Sequence, residues 1–294
     1  MKRIFFTIML SIAVTLTWSQ DADTIPNWEM GGMTTIPFSQ VSFSEYWAAG
    51  GENSLSGGIL INFFANYKED DVSWANSLNL GYGILRQGDI TKKSEDRIEL
   101  NSQYGRKAWD SWYYSGLVNF KTQFAPGYNY PNDEDIISNF LAPAYLTTSL
   151  GLDYKPSERF NLFLSPLTGK YTIVADDSLS AAGAFGVEPG QKFRAELGGF
   201  IKILYMTPLF TNVDFQTKLD LFSNYLNNPQ NIDVNMELLL NMKVNEFLSA
   251  TINTLLIYDD DIDFPIESPE AGRPGRGPRL QFKEVFGLGF SYKF

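Results

Sequence analysis

The sixteen residues from Arg279 to Phe294 alternate between apolar and polar or small side chains almost without a break. Leu280, Phe282, Phe286, Leu288, Phe290, Tyr292 and Phe294 share one parity. Arg279, Gln281, Lys283, Gly287, Gly289, Ser291 and Lys293 share the other, and only Glu284 and Val285 fall out of phase. In a strand, successive side chains point to opposite faces, so this run has one greasy face and one polar face. Soluble strands are usually about 5–6 residues long. A longer amphipathic strand fits a tilted crossing of a bilayer, with the apolar side in lipid and the polar side toward a lumen.

Similar alternation recurs along the chain. Twelve segments show it, at about 39–48, 54–67, 72–86, 95–105, 112–125, 144–155, 160–174, 191–206, 213–223, 232–243, 247–259 and 279–294. Val213, Phe215, Thr217, Leu219 and Leu221 oppose Asp214, Gln216, Lys218 and Asp220. Connections alternate between short ones, such as Tyr67 to Asp71, and longer ones rich in Pro, Gly, Asn and acid, such as Pro126 to Pro143 and Ala175 to Gly190. Gln87 to Ser94 is also read as a longer loop, and Ala49 to Asn53 as a short one. The expected fold is all-β, an antiparallel transmembrane barrel of about twelve strands, with short periplasmic turns and longer extracellular loops. A soluble sandwich or lipocalin-like barrel would reverse the two faces. It would also carry more charge on its exterior than the 19% found here.

The N-terminus reads as a secretory signal over residues 1–19. Lys2 and Arg3 precede an apolar run from Ile4 to Leu16, with Thr17 and Ser19 placed for cleavage before Gln20. Residues 20–38, where Pro26 and Pro37 bracket Trp28, Gly31, Gly32 and Met33, break the alternation. They are read as a periplasmic N-terminal segment or a plug, and 39–294 as the barrel. The mean hydropathy of −0.16 is compatible with this, because alternation hides apolar faces from an average.

The formal net charge is −11, and two units more negative without Lys2 and Arg3, which argues against nucleic acid as a partner. The chain has neither Cys nor His. That removes Ser–His and Cys nucleophile chemistry and His/Cys metal clusters, and no G-x-S-x-G is present, so the chain is read as a non-enzyme without a cofactor. The run Asp259 to Asp263 lacks the spacing of a Ca²⁺ loop and is read as an acidic, solvated loop.

By parity, the lumen-lining candidates are Glu99, Lys121, Asp153, Lys170, Lys192, Arg194, Glu196, Lys202, Asp214, Lys218, Asp220, Asp233, Glu237, Lys283 and Lys293, with both signs nearly balanced. Two readings stay open: a narrow polar path for a small solute, and a salt-bridged core that fills the barrel. Gly within strands, including Gly151 and Gly198, is expected at bends, and Pro166 at a bulge. Trp47, Trp74, Trp112, Tyr82, Tyr154, Tyr205, Tyr258 and Tyr292 are expected in interfacial girdles.

The terminal Phe294, with aromatics at alternate positions before it, resembles the C-terminal signature of bacterial outer-membrane proteins. Other stretches resemble a Bacteroidota outer-membrane barrel family catalogued as a domain of unknown function, DUF3078-like. They are Gly31–Gly32, Gln40, Trp47 to Asn53, Trp112 to Ser115, Tyr154 to Pro156, Leu164 to Thr168 and Gly183 to Gly190. The resemblance implies an outer-membrane location and brings no catalytic residue. Expected partners are outer-membrane lipid, the barrel-assembly machinery during insertion, and a small solute. The expected functions are a channel or transporter for small polar solutes or, alternatively, a non-conducting structural or accessory subunit of an outer-membrane complex.

Overall fold

The computed structural model describes residues 27–44, 52–266 and 275–294. Residues 1–19, read above as a secretory signal, residues 20–26, Trp47 and most of the Trp47 to Asn53 stretch lie outside the described residues. Among those described, twelve antiparallel strands close a barrel. In chain order they are β1 (Trp28–Val41), β2 (Ser54–Glu69), β3 (Val72–Gln87), β4 (Ile90–Trp109), β5 (Trp112–Thr122), β8 (Ala144–Ser157), β9 (Phe160–Ile173), β10 (Phe193–Phe210), β11 (Val213–Asn224), β12 (Asp233–Lys243), β13 (Leu248–Tyr258) and β16 (Gln281–Lys293). Each strand pairs with the next in this sequence, and β16 pairs back onto β1. Two small hairpins, β6 (Gly127–Tyr128) with β7 (Ile136–Ser138) and β14 (Asp263–Ile266) with β15 (Gly275–Pro278), decorate the long connections.

The first strand corrects the sequence reading. Residues 28–38 are not a tail or a plug; they form most of β1, which pairs with β2 from Trp28↔Tyr67 to Val41↔Ser54 and with β16 from Met33↔Lys293 to Pro37↔Gly289. The barrel therefore begins at Trp28 rather than residue 39, and most of the connection read at Ala49 to Asn53 lies outside the described residues. Gly31 and Gly32 are needed here because a Cβ on Gly32 would lie 2.6 Å from the Phe294 ring and 2.7 Å from the Asn62 carbonyl oxygen. A second correction concerns Gln87 to Ser94. β3 and β4 continue toward each other and turn through Gly88 and Asp89, with Gly88 at φ +56°, a conformation that favours glycine.

The faces are those of a membrane barrel. Tyr114, Leu150, Phe286 and Phe290 point outward and are 60–68% exposed, whereas Glu99, Ser149, Asp153 and Thr168 point inward and are at most 3% exposed. Such an apolar exterior would be costly in water and is satisfied by hydrocarbon. Closure leaves the sheet without a free edge among the described residues. The protein is thus a transmembrane antiparallel β-barrel of outer-membrane type. Aromatic pairs mark both rims: Trp28 with Trp74 and Tyr67, and Trp112 with Tyr154, at the short-turn end; Tyr82 with Phe124, and Tyr171 with Phe193, at the other.

In β9 the ladder slips on both sides around Ser165–Leu167, opposite Leu150/Leu152 of β8 and Gly198/Phe200 of β10. Pro166, which has no amide to donate, sits in this bulge as expected. Above the membrane-spanning wall at the long-loop end, Ala142, Val174, Leu179 and Val187 form a small core beside a one-turn helix, α1 (Asp177–Ala181). Asp176 caps that helix. A hydrogen bond from Asn139, followed by those from the Leu179 and Ser178 amides, holds its carboxyl below the usual range.

Candidate functional site: a bridged, two-sign lumen

Ion pairs between strands that are not neighbours identify the interior. Arg97 Nη1 on β4 lies 3.3 Å from Glu237 Oε1 on β12, six strands away around the barrel. Lys218 on β11 reaches Glu99 on β4 at 3.0 Å, and Lys283 on β16 reaches Glu95 on β4 at 2.6 Å. A circular barrel of this strand count would be about 24 Å across between Cα atoms, given the usual strand spacing and tilt. Even fully extended, Arg and Glu side chains in contact need Cα atoms within about 15 Å, so the barrel is pressed oval at this level. The interior is crossed by side chains rather than left as a wide pore.

Glu99 organises the waist. It is 3% exposed and accepts from Lys218 at 3.0 Å and Asn119 at 3.2 Å, with Lys121 at 3.5 Å. Lys218 also lies 3.6 Å from Asp220. Lys202 stands opposite Asp220 in the β10–β11 register, and among the described residues it makes no ion pair within 4.0 Å. A buried carboxylate held by two ammonium groups contributes little net stability against a well-packed apolar core, but removing one partner strands the others.

A second cluster fills the long-loop mouth. Lys170 meets Asp233 at 2.6 Å, Asp259 at 3.2 Å and Glu196 at 3.9 Å. Arg194 meets Glu196 at 2.9 Å and also pairs with Asp261. Asp259 and Asp261 therefore do not behave as a solvated loop: the run turns inward, half-buried, because two cations on β9 and β10 wait there. A cavity of about 620 Å³ opens beside Arg194, Glu196, Asn224 and Asp261.

At the short-turn end, Asp153 is fully buried, accepts from Gln103 at 2.7 Å and Asn161, and pairs with Lys155 at 2.9 Å. A separate apolar cluster of Leu117, Phe163, Phe200 and Phe222 lines the wall from β5 to β11, all inward-facing and at most 9% exposed, with Phe163 and Phe200 edge to face at 6.4 Å. Lys170 Nζ lies 5.2 Å from the Phe222 ring centre, linking the cluster to the mouth.

Of the parity candidates, the structure joins Glu99 with Lys121, Lys218 and Asp220, and Lys170 with Arg194, Glu196 and Asp233. Lys192 is a correction: it precedes β10 and pairs with Asp177 of α1 at 2.5 Å, in the loop rather than the lumen. Asp214 and Lys293 lie exposed at the short-turn rim. Arg97, Glu95, Lys155, Asp259 and Asp261 were not among the candidates. Neither was the apolar cluster, although Leu117, Phe200 and Phe222 share the parity of Lys121, Lys202 and Asp220, a signal readable in the sequence.

The profile of the family described as "Protein of unknown function (DUF3078)" matches residues 38–128, from the end of β1 through β6. No curated protein matches the chain. Among solved structures, the chain is similar to an outer membrane channel from Pseudomonas putida F1, at 12% identity over 94% of this chain and 98% of that one, TM-score 0.42. It is also similar to the translocator domain of the autotransporter NalP from Neisseria meningitidis, at 11% identity over 99% and 96%, TM-score 0.37. A third similarity is to the NanC porin, at 10% identity over 88% and 98%, TM-score 0.37.

Proposed function

We propose that this barrel is a narrow outer-membrane channel for small polar solutes, oriented with its short turns toward the periplasm. The carrying observation is the chain of paired charges of both signs from the Arg194–Glu196 mouth through the Glu99 waist to Asp153 and Lys155. Charged rings of this kind select by size and local charge in a pore too tight for bulk flow. The absence of His and Cys supports a non-enzymatic role. The proposal includes loss of residues 1–19, insertion by the barrel-assembly machinery and residence in the lipid of a Gram-negative outer membrane; mass spectrometry of the membrane-extracted protein, expected to begin at Gln20, tests the cleavage.

Planar-bilayer recording of the purified protein tests the channel. Small conductance steps are expected, rising several-fold in Arg97→Ala, which removes the side chain that spans the lumen. Silence of both proteins, with heat-modifiable folding intact, overturns it. The buried cluster of Leu117, Phe163, Phe200 and Phe222 favours a second reading, a filled barrel acting as a non-conducting subunit of an outer-membrane complex. Such a subunit would co-purify with a stoichiometric partner in mild detergent.

A further inference from the structure

We infer that Lys202 sets the charge preference of the channel and makes its solute a small anion, such as a carboxylate. The inference deepens the channel reading and rests on it, since it names the residue that decides which ions pass. Lys202 lies in the middle of β10, where its register partners are Phe163 of β9 and Asp220 of β11. Phe163 is sealed inside the barrel at 0% exposure, so strand register turns Lys202 into the lumen with it. Lys202 itself is half-buried rather than sealed, so its ammonium stays within reach of the lumen.

The charges at the waist cancel in pairs, and Lys202 is what remains. Glu99 is shared by Lys218 at 3.0 Å and Lys121 at 3.5 Å, Lys218 also meets Asp220 at 3.6 Å, and Arg97 meets Glu237 at 3.3 Å. Glu95 and Lys283 meet each other at 2.6 Å. Of the waist cations Arg97, Lys121, Lys202 and Lys218, only Lys202 has neither an ion pair nor a hydrogen bond among the described residues. The charged side chains around its ammonium are Lys218, Asp220, Glu99 and Lys121, two of each sign. Asp220, its cross-strand neighbour, does not neutralise it: Oδ2 lies toward Lys218, and Oδ1 accepts no hydrogen bond.

Pairing decides which charge a passing ion feels. The field of a paired group is offset by its partner within a few ångströms, whereas an unpaired ammonium between low-dielectric walls acts on whatever passes. The contacts from Lys218 to Glu99 and from Arg97 to Glu237 cross the barrel, so a solute at this level moves among side chains. The long-loop mouth has the opposite balance, with Lys170 and Arg194 against four carboxylates. Each of those carboxylates touches a cation, however, while Lys202 touches no anion. The unoffset charge along the path is therefore positive, and it stands where the barrel is pressed oval.

Reversal potentials of the purified full chain in a planar bilayer, across a gradient of potassium chloride, test the residue. The protein is expected to pass chloride in preference to potassium. Lys202→Met, similar in length and uncharged, should lower the chloride-to-potassium ratio several-fold, and Lys202→Arg should keep it. Lys68→Met, which removes an exposed cation at the short-turn rim, should leave the ratio unchanged. A potassium preference in the unmodified protein, an unchanged ratio in Lys202→Met, or an equal fall in Lys68→Met overturns the inference, the last by showing that any cation near the pore acts alike. Lys202→Gln replaces Lys202→Met if that variant loses heat-modifiable folding. Trace acetylation of the folded protein with acetic anhydride, mapped by mass spectrometry, needs no conductance. Lys202 should react before Lys121 and Lys218, whose ammonium groups Glu99 holds, and added succinate should slow it. If the bilayers stay silent, that pattern keeps Lys202 as an anion contact and removes the channel, whereas labelling of Lys202 no faster than Lys121 removes both.

Discussion

The two walls of this barrel are built differently. The wall running from β5 through β8, β9 and β10 to β11 presents large groups inward: Leu117, Phe163, Phe200 and Phe222, with Asp153 and Thr168 sealed at 0% exposure. It is packed like the core of a soluble protein. The wall from β13 through β16 to β1 presents Ser249, Gly287, Gly289, Ser291 and Thr35, and its inward Val285 remains 41% exposed. Its seam is short, with β1 and β16 in register only from Met33 to Pro37, whereas β2 and β3 pair along their whole length. The comparison teaches that the interior is asymmetric. One half is packed with large side chains, and the other is lined largely by small ones.

The largest expected effect tests the thin wall. Thr35 and Ser291 are cross-strand partners with hydroxyl oxygens 3.1 Å apart. In the Thr35→Cys/Ser291→Cys protein, oxidation should join first strand to last in a chain with no other Cys, and stabilise it by up to about 5 kcal/mol in the loop-entropy account. Urea unfolding with and without reductant reads this, and failure to cross-link would break the assigned seam register. Next, Phe163→Ala should cost about 3–5 kcal/mol in the same assay. Val285→Ala, on the other wall, should cost under about 1 kcal/mol, so equal costs would erase the asymmetry.

Glu99→Gln should cost about 3 kcal/mol, because Lys121 and Lys218 lose their shared carboxylate. It should also turn bilayer currents toward anions, read from the reversal potential; unchanged selectivity would place the solute path away from the waist. The smallest effect belongs to the loop core above both walls. Asp176→Ala should loosen α1 by about 1 kcal/mol, seen as faster proteolysis between Ala175 and Gly190. Because the folded carboxyl titrates below its usual range, its contribution is full above that range and is lost as the pH falls through the lowered value.

Much of this was legible beforehand, for reasons that differ by region. Eleven of the twelve alternating segments coincide with a strand over most of their length, and the twelfth, 39–48, meets β1 only at 39–41, since each strand must satisfy lipid on one side wherever it lies. β1 was misplaced because Gly31, Gly32 and Pro37 look like breakers in isolation. Their fitness for a strand depends on the Phe64 and Phe294 rings that pack over the glycines, and those come from elsewhere in the chain. In β16 the two exceptions also found their places: Glu284 stays on the outer parity opposite Thr254, and Val285 faces inward opposite Asn253.

The lumen was legible as a set of charges but not as a circuit. Lys121 beside Glu99 is a neighbouring-strand pair that parity and register alone bring together. Arg97 with Glu237 is not, because the two meet only when the barrel closes and flattens. The inward turn of Asp259 and Asp261 likewise follows from Lys170 and Arg194 standing at the mouth. Period-two alternation was enough to set the membrane, the strand count and which face each residue takes, because those depend on local contact with lipid. Which charges neutralise one another and which wall is solid were settled by closure of the sheet, because Coulomb pairing and packing act across space between strands distant in sequence.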